Sequence, residues 1–293
     1  MKTKNLLIAV LVIALAAYFG ANFSSKIAPT PTAPQTAYEH ILQTGTVRCA
    51  YIVYTPYFIR DPNTGKMSGI FYDIMEEIGK NAGLKIEWTE EVGYDNIFAG
   101  LDAKRFDVFA GGLWPSSARA KSGSFTTPAF YSIITAWARA DENRFQNLEG
   151  INDPATRITA IDGALEDIIA RTDFPQAQKV SLPQMTPFGL NFQNIVDHKA
   201  DITFAEPSVV NEFLKTHEGT LKQISPDKPL RIFGNSLVIG HGEDALKALM
   251  NEGMQEAVLS GTVDKILKKY EEKQGLFLRP IKPYQEAVGN VVP

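Results

Sequence analysis

Short apolar runs alternate with amphipathic segments twice along this chain, and this alternation limits the possible folds more than any other feature. The first series begins near Val47 and the second near Ile158. Strand-like runs separated by segments of helical period are typical of βαβ units, which build parallel sheets. The sequence therefore predicts an α/β protein with two mainly parallel sheets, each flanked by helices.

The first series predicts a regular order of strands and helices. Strands are expected at 47–53, 84–88 and 106–110, and helices at 71–82, 95–103 and from Ser116. In the segment 71–82 the isoleucines recur at helical spacing, and the charged residues lie off their face. Pro115 ends the loop before Ser116, where a serine can cap the free N–H groups of a helix start.

The second series repeats this order. Strands are expected at 157–161, 179–182 and 201–205, and helices at 164–170, 188–196 and from Pro207. Proline is well tolerated at the first position of a helix. Two extended apolar runs, 131–140 and 233–240, flank the series and would join it to the rest of the chain.

The composition excludes several classes of function. A chain of 293 residues with 44% hydrophobic content suits two globular domains. A net charge of −4 argues against nucleic-acid binding, which needs a basic face. The single cysteine, Cys49, excludes an internal disulfide and a cysteine-based metal site, and its apolar surroundings predict a buried core residue. We expect no metal and no cofactor.

The N-terminal segment has the pattern of an export signal. Lys2 and Lys4 precede an apolar core at 6–17, and no further charge appears before Lys26. A small-x-small cleavage site at 14–16 favours a removable signal peptide, whereas the uncharged stretch 5–25 is about long enough to span a bilayer as an anchor. Either reading places the rest of the chain in the periplasm or outside the cell. Residues 28–34, rich in proline and threonine, predict a semi-rigid tether.

Several short motifs together identify a family. They are GTVR at 45–48, DPNTGK at 61–66, GYD at 93–95, FDV at 106–108, SSAR at 116–119, FTTPAFY at 125–131 and GTVDKILKKY at 261–270. In this order they resemble the bacterial extracellular solute-binding proteins of family 3, the receptors that deliver polar amino acids to ABC importers. The resemblance extends from Gly45 to about Tyr270.

The resemblance implies a two-lobed periplasmic-binding-protein fold of type II. Residues 1–36 would be the signal or anchor with its linker, residues 37–135 and 234–293 the first lobe, and residues 136–233 the second. Two crossing strands would form the hinge between the lobes. Such a protein is monomeric, is not an enzyme, and has a small-molecule ligand and an ABC permease of the inner membrane as its partners.

Two charged residues match the family's ligand anchors. Arg119 occupies the position whose guanidinium pairs with the ligand's α-carboxylate, and backbone N–H groups at a predicted helix start would assist it. Glu206 occupies the position whose carboxylate receives the α-ammonium group. From the residues alone, Arg119 is equally consistent with a solvated helix face, and Glu206 with an ordinary acid at a helix N-terminus.

Aromatic residues are expected to form the wall of the site. Tyr94 matches the ring that stacks on the ligand, and Tyr54, Tyr57 and Trp114 lie in loops that should face the same cleft. For each of them core packing is an equally good explanation. Trp114 is the most suggestive, because a tryptophan beside Gly112 and before a proline has little role in a helix or strand.

The departures from the family pattern concern the ligand's identity. The turn at Gly163 lacks the usual hydroxyl residues, although its backbone N–H groups remain available. Phe71 stands where an acid is usual, Trp114 where a small hydroxyl residue is usual, and Ile52 where many receptors have an acid. These changes predict an apolar, aromatic pocket that fits a neutral or aromatic amino acid, or another small carboxylate with an amine, better than a basic amino acid.

Two alternatives to transport remain open. Periplasmic cyclohexadienyl dehydratases resemble the same receptors, and Glu206 in an apolar cleft could serve as their general acid on prephenate or arogenate. The tethered domain could instead sense a ligand for a membrane complex. Fold alone does not decide between these functions.

Overall fold

The structure, a computed structural model, describes residues 35–273 and 275–281. The signal peptide or anchor predicted at 5–25 and the tether at 28–34 lie outside the described residues. Within the described part of the chain, no helix combines the length and the apolar composition that crossing a membrane requires.

Apart from the helix expected from Ser116, the predicted strands and helices are present in the predicted order. The helices are α1 Ala37–Thr44, α2 Ile70–Ala82, α3 Asn96–Asp102, α4 Leu165–Asp173, α5 Gly189–Val196, α6 Pro207–Leu214, α7 Asp244–Leu259 and α8 Thr262–Tyr270. The strands are β1 Thr46–Tyr51, β2 Ile59–Arg60, β3 Met67–Ser68, β4 Lys85–Glu91, β5 Val108–Leu113, β6 Gly123–Phe125, β7 Phe130–Arg139, β8 Arg157–Ile161, β9 Gln178–Leu182, β10 Ile202–Ala205, β11 Leu221–Ile224, β12 Arg231–Gly240 and β13 Phe277–Leu278.

The first half of the main sheet has β1 at its centre. This strand pairs in parallel with β4 on one side and with β5 on the other. The C-terminal part of β12 adds antiparallel pairs to β5 and β6. Helix α2 covers the sheet together with α7 and α8, and buries Ile74 and Ile78 there.

The second half repeats this arrangement around β8. Strand β8 runs parallel to β9 and β10, and β10 pairs antiparallel with β7, which also pairs with β11. A separate core beneath it includes Ile158, Ile169 and Phe204, each fully or almost fully buried. The predicted α/β fold of two mainly parallel halves is confirmed.

Two long strands belong to both halves of the sheet. Residues 231–235 of β12 pair with residues 130–134 of β7, and the rest of β12 continues into the first half. The rest of β7, residues 135–139, pairs with strands of the second half. This is the geometry expected of crossing hinge strands, and the lobe boundaries at 135/136 and 233/234 stay a prediction.

The same arginine–aspartate pair begins each half. Arg48 at the start of β1 binds Asp107 through its backbone N–H, Nε and Nη2 groups, at 2.9, 3.1 and 2.7 Å. Arg157 at the start of β8 binds Asp201 through the same three groups, at 2.8, 3.2 and 2.9 Å. Asp107 immediately precedes β5, and Asp201 immediately precedes β10. Each pair therefore links the starts of two neighbouring strands.

The helix predicted from Ser116 is wrong. The chain forms only a three-residue 3-10 turn, Arg119–Lys121, before β6 begins at Gly123. Pairing of β6 with β12 leaves too few residues for an α-helix. Ser116 does act as a cap, because its Oγ accepts a hydrogen bond from the Arg119 N–H at 3.2 Å.

Candidate functional site

The predicted site residues follow the carboxyl ends of strands in both halves. Tyr54 and Tyr94 follow β1 and β4, and Trp114 follows β5; Gly163 and Glu206 follow β8 and β10. Loops at the carboxyl ends of parallel strands are where open α/β sheets bind ligands. The fold therefore brings loops that lie far apart in the sequence to one cleft.

An inner cavity of about 40 Å³ lies at the centre of this cleft. Of the predicted site residues it is lined by Tyr54, Tyr94, Gly112, Trp114 and Glu206. A wider groove of about 700 Å³ opens outward from it, and Ile52, Tyr54, Tyr94 and Phe188 line both spaces. The groove is large enough for a small metabolite, and the inner cavity has room for a small polar group.

Arg119 does not line the inner cavity itself but packs on Trp114, which does. Its guanidinium sits 4.0 Å from the centre of the Trp114 ring. It donates hydrogen bonds to the Trp114 carbonyl at 3.2 Å and to the Gly163 carbonyl at 3.5 Å. Burial lowers the pKa of Arg119 to about 10, so it is still a cation at neutral pH. Within the described ranges no acidic side chain forms an ion pair with it, which leaves its charge available to an anion.

Trp114 has a packing role, which the sequence left open as the alternative to ligand contact. Its ring stacks on Phe233 at 4.5 Å between centroids, and Arg119 covers the ring as well. The tryptophan therefore contacts both Arg119 and Phe233 of the strand β12. A cation over an indole face is stabilised by the ring's quadrupole, and this fixes the direction of the guanidinium.

Glu206 is buried at the N-terminus of α6. Only 7% of the residue is exposed, and its carboxylate accepts a hydrogen bond from the Tyr54 hydroxyl across the cleft. Burial raises the pKa of Glu206, and the bond from Tyr54 opposes this rise. An acid on the surface of a helix start, the alternative reading, would be solvated and would not face an aromatic cavity.

Glu166 is a residue of the site that sequence reasoning missed. It belongs to the first turn of α4, is 1% exposed and lines the inner cavity. Its Oε1 accepts hydrogen bonds from the Ile161 N–H at 3.0 Å and from Asn191 Nδ2 at 3.1 Å. Burial raises the pKa of Glu166 to about 8; these hydrogen bonds oppose the rise and the charge of Glu206 adds to it.

The remaining tyrosines extend the polar lining. Tyr57, predicted in the cleft, is almost fully buried, and its hydroxyl lies 2.6 Å from Ser132 Oγ. Asn235 donates to the same serine oxygen at 2.8 Å. Burial raises the pKa of Tyr94 far above its ordinary value, so its hydroxyl stays neutral. These groups are hydrogen-bonding partners rather than charges.

The two halves touch at the rim of the cleft. Gln184 follows β9, and its side-chain amide donates a hydrogen bond to the Asp95 carboxylate. Its Oε1 accepts a hydrogen bond from the backbone N–H of Asp95 at 3.3 Å. Gly163 has φ 79°, and a side chain there would come within 2.5 Å of Asp95 Oδ1. The glycine therefore allows the close approach of the second half to the first, and its carbonyl is the one that Arg119 contacts.

The structure explains why position 112 is a glycine, which the sequence did not reveal. Its φ is 77°, and a methyl group on it would overlap the ring of Phe71, which is fully buried beneath it. Phe71, predicted to make the pocket more apolar, thus packs under the cavity and does not line it.

Replacing Gly112 with alanine is expected to destabilise the protein by about 1–3 kcal/mol from overpacking, beyond the cost of the left-handed backbone. Gly242→Ala is the matched control, because its φ is 81° and no atom lies within 4 Å of the added methyl. Thermal or urea unfolding of both variants measures the difference. Equal destabilisation of the two would contradict the packing role of Phe71.

Comparison with known proteins decides the family. Residues 47–273 match the bacterial extracellular solute-binding proteins, family 3. The chain belongs to this family. A probable amino-acid ABC transporter-binding protein of Haemophilus influenzae is 26% identical over 213 residues, which cover 73% of this chain and 79% of that protein. A cyclohexadienyl dehydratase of Pseudomonas aeruginosa is 23% identical over 242 residues, which cover 82% and 88%.

The solved structures of family 3 agree with this fold. An ancestral amino-acid-binding protein, described as a precursor of cyclohexadienyl dehydratase, superimposes with a TM-score of 0.71 at 20% identity. The match covers 80% of this chain and 99% of that one. The predicted two-lobed, type II periplasmic-binding fold is confirmed, as is the predicted membership of family 3.

Proposed function

We propose that this protein captures a small amino-acid-like ligand between its two lobes outside the cytoplasm and delivers it to the permease of an ABC importer. The family consists mostly of amino-acid-binding components of such importers, which supports the class of function. The ligand's chemistry is inferred from the cleft.

The observation that carries this proposal is the separation of opposite charges across the cleft. Arg119 belongs to the first lobe and has no ion-pair partner within the described residues, and Glu206 belongs to the second and is likewise without a basic partner there. A desolvated charge without a partner is unfavourable, so each group favours a ligand of the opposite charge. A zwitterion satisfies both.

A ligand of this kind would also stabilise the closed arrangement. Its carboxylate would pair with Arg119 and its ammonium with Glu206, and only closure brings both onto one molecule. A ligand shifts a conformational equilibrium by its difference in affinity for the two states. Binding and closure are therefore coupled, and a permease could distinguish the loaded from the empty protein.

The first experiment is a thermal-shift screen of residues 37–293 against the amino acids and related small carboxylates. A ligand at 100 times its dissociation constant stabilises a protein by about 2.7 kcal/mol, which is readily measured. We expect a larger shift with an α-amino acid than with its decarboxylated amine or its deaminated acid, because each of these loses one of the two charged contacts. A ligand that binds equally well without either charged group would contradict the proposal.

A second candidate function is favoured by Glu166. A carboxylic acid that stays protonated near neutral pH in an aromatic cavity has the properties of a general acid. This residue suits the part better than Glu206, to which the sequence assigned it. In a dehydratase the proton of Glu166 would pass to the ring hydroxyl, which leaves as water. The electrons of the bond to the ring carboxylate would enter the ring as carbon dioxide departs.

Incubation with prephenate separates the two functions. A receptor would bind or ignore prephenate without changing it, whereas a dehydratase would convert it to phenylpyruvate. In a dehydratase, Glu166→Gln would remove turnover and leave binding intact, because the amide keeps the hydrogen bonds from Asn191 and Ile161 but has no acidic proton. The absence of phenylpyruvate in the unmodified protein would exclude this candidate.

A further inference from the structure

Two buried glutamates of the second lobe face the inner cavity together. Glu166 is 1% exposed and Glu206 is 7% exposed, and both line the same cavity of about 40 Å³. Glu166 lies after β8 and Glu206 directly after its neighbour β10. Each is more than nine-tenths buried, so neither carboxyl group is fully hydrated by bulk water.

The groups that surround this pair are neutral. Tyr54 from the first lobe donates to Glu206, and the rings of Tyr57 and Tyr94 complete that side of the cavity. Asn191 of α5 and the Ile161 N–H of β8 donate to Glu166.

The charged groups nearby are otherwise engaged. Asp167, next to Glu166, is bound by Arg171 and Lys179 at 3.0 and 2.9 Å. Arg119 is the cation beside the cavity and is held over Trp114. Among residues 35–273 and 275–281, no basic side chain forms an ion pair with Glu166 or Glu206. The two acids therefore have hydrogen-bond donors and no counter-ion.

We propose that Glu166 and Glu206 together receive one ammonium group of the ligand, and that this group displaces the proton which the pair holds when the cavity is empty. The proposal rests on the proposed function in one respect, namely that the cleft binds a ligand with an amine. It adds Glu166 as a second partner of the ammonium group, and it adds the release of one proton on binding.

Charge balance explains the exchange. Two carboxylates that share a desolvated site cannot both ionise readily, so the empty pair retains a proton at neutral pH. Burial raises the pKa of both acids, and Glu166 is still mainly protonated at pH 7. An entering ammonium supplies the positive charge instead, the second carboxyl ionises, and the proton passes to solvent.

The inner cavity has room for an ammonium group. A cavity needs about 10–15 Å³ of this kind of space to admit one water molecule, and the inner cavity offers about 40 Å³. The rest of the ligand would lie outward, in the groove lined by Phe188 and Tyr94. A quaternary ammonium has no N–H to donate to the carboxylates.

The exchange fixes the direction of the pH dependence. Because binding releases a proton, the apparent dissociation constant falls as the pH rises, by up to about tenfold per unit below the pKa of Glu166. Above pH 8, where the proton has already left the empty site, the dissociation constant becomes level. A ligand that paired with Glu206 alone, beside a permanently neutral Glu166, would show no such slope.

The test uses methylammonium chloride as the probe and the full chain. Thermal unfolding across a range of probe concentrations at pH 6, 7, 8 and 9 gives a dissociation constant at each pH. We expect binding that strengthens from pH 6 to pH 8 and then levels, and no binding of tetramethylammonium chloride. Methylammonium binding without this slope, equal effects of the two cations, or no effect of either would overturn the proposal.

Two glutamate variants sharpen the result. Glu166→Gln keeps the size and the hydrogen bonds of the side chain, so it should bind methylammonium with no pH slope. Glu149→Gln makes the same change at an exposed position of the second lobe and should behave as the unmodified protein. If Glu166→Gln does not fold, the slope of the unmodified protein still decides the matter.

The outcome is separable from that of the amino-acid screen. Amino acids that bind without a pH slope, with methylammonium inert, would leave the proposed function standing and remove this inference. If methylammonium binds with the expected pH slope and no amino acid binds, this inference stands and the proposed function is removed.

Discussion

Replacing Arg119 with alanine is expected to weaken binding of the carboxylate ligand by about 2–5 kcal/mol, because truncation leaves the ligand's charge desolvated and unpaired. In the folded protein the guanidinium is already positioned over Trp114, and within the part of the chain that the structure describes it donates to two carbonyl oxygens, those of Trp114 and Gly163. A carboxylate would gain a fixed, charged donor with little cost of ordering. Calorimetric titration with the amino acid identified by the screen measures the loss.

Two further variants distinguish the charge from its geometry. Arg119→Lys retains the charge but not the planar fork, so it should recover only part of the affinity. Lys121→Ala removes an exposed cation from the same 3-10 turn and should leave binding unchanged. Unchanged affinity in Arg119→Ala would reject this residue as the carboxylate anchor. An equal loss in Lys121→Ala would instead indicate a general effect of charge.

The sequence predicted the strands and helices well because their patterns are local. The strand at 157–161 was predicted to the residue, and most other boundaries moved by only a few positions. The helix expected from Ser116 failed for a nonlocal reason. Pairing of β6 with β12 joins residues that lie more than 110 positions apart, and no local pattern in Ser116 to Arg119 contains that constraint.

The candidate site could be predicted only in part. Arg119 and Glu206 were predicted because their positions match motifs of the family. The fold places Glu206 in the lining of the inner cavity and Arg119 on Trp114, and their roles in binding stay a prediction. Glu166 was missed because an acid in the first turn of a helix is commonplace and usually solvated. In the folded protein its carboxyl group accepts a hydrogen bond from Asn191, which lies 25 residues further along the chain in another helix. The burial that makes such a carboxyl notable is a property of the tertiary structure.

The pair of Arg157 and Asp201 is expected to stabilise the second lobe. Asp201 is 3% exposed and binds the Arg157 backbone and side chain, and its Oδ1 lies 2.8 Å from Arg144 as well. Asp201→Asn would remove the buried carboxylate that pairs with Arg157, whereas Arg144 keeps Glu142 as a partner. Because both guanidinium groups are more than a third exposed, solvent screens the charge that is left, and we expect a loss of about 1–3 kcal/mol. Urea unfolding of the variant measures this, and Asp197→Asn, at an exposed aspartate paired with Lys199, should change little.

The same network should make the protein sensitive to acid. Burial opposes ionisation of Asp201, but its hydrogen bonds with Arg157 and Arg144 outweigh this and lower its pKa. A carboxyl whose pKa is lower in the folded state contributes its full stability above its unfolded value of about 3.9, and loses it as the pH falls towards the folded value. The unmodified protein should therefore lose stability more steeply than Asp201→Asn between about pH 4 and pH 2. Parallel pH profiles for the two would mean that the aspartate is held by packing rather than by its charge.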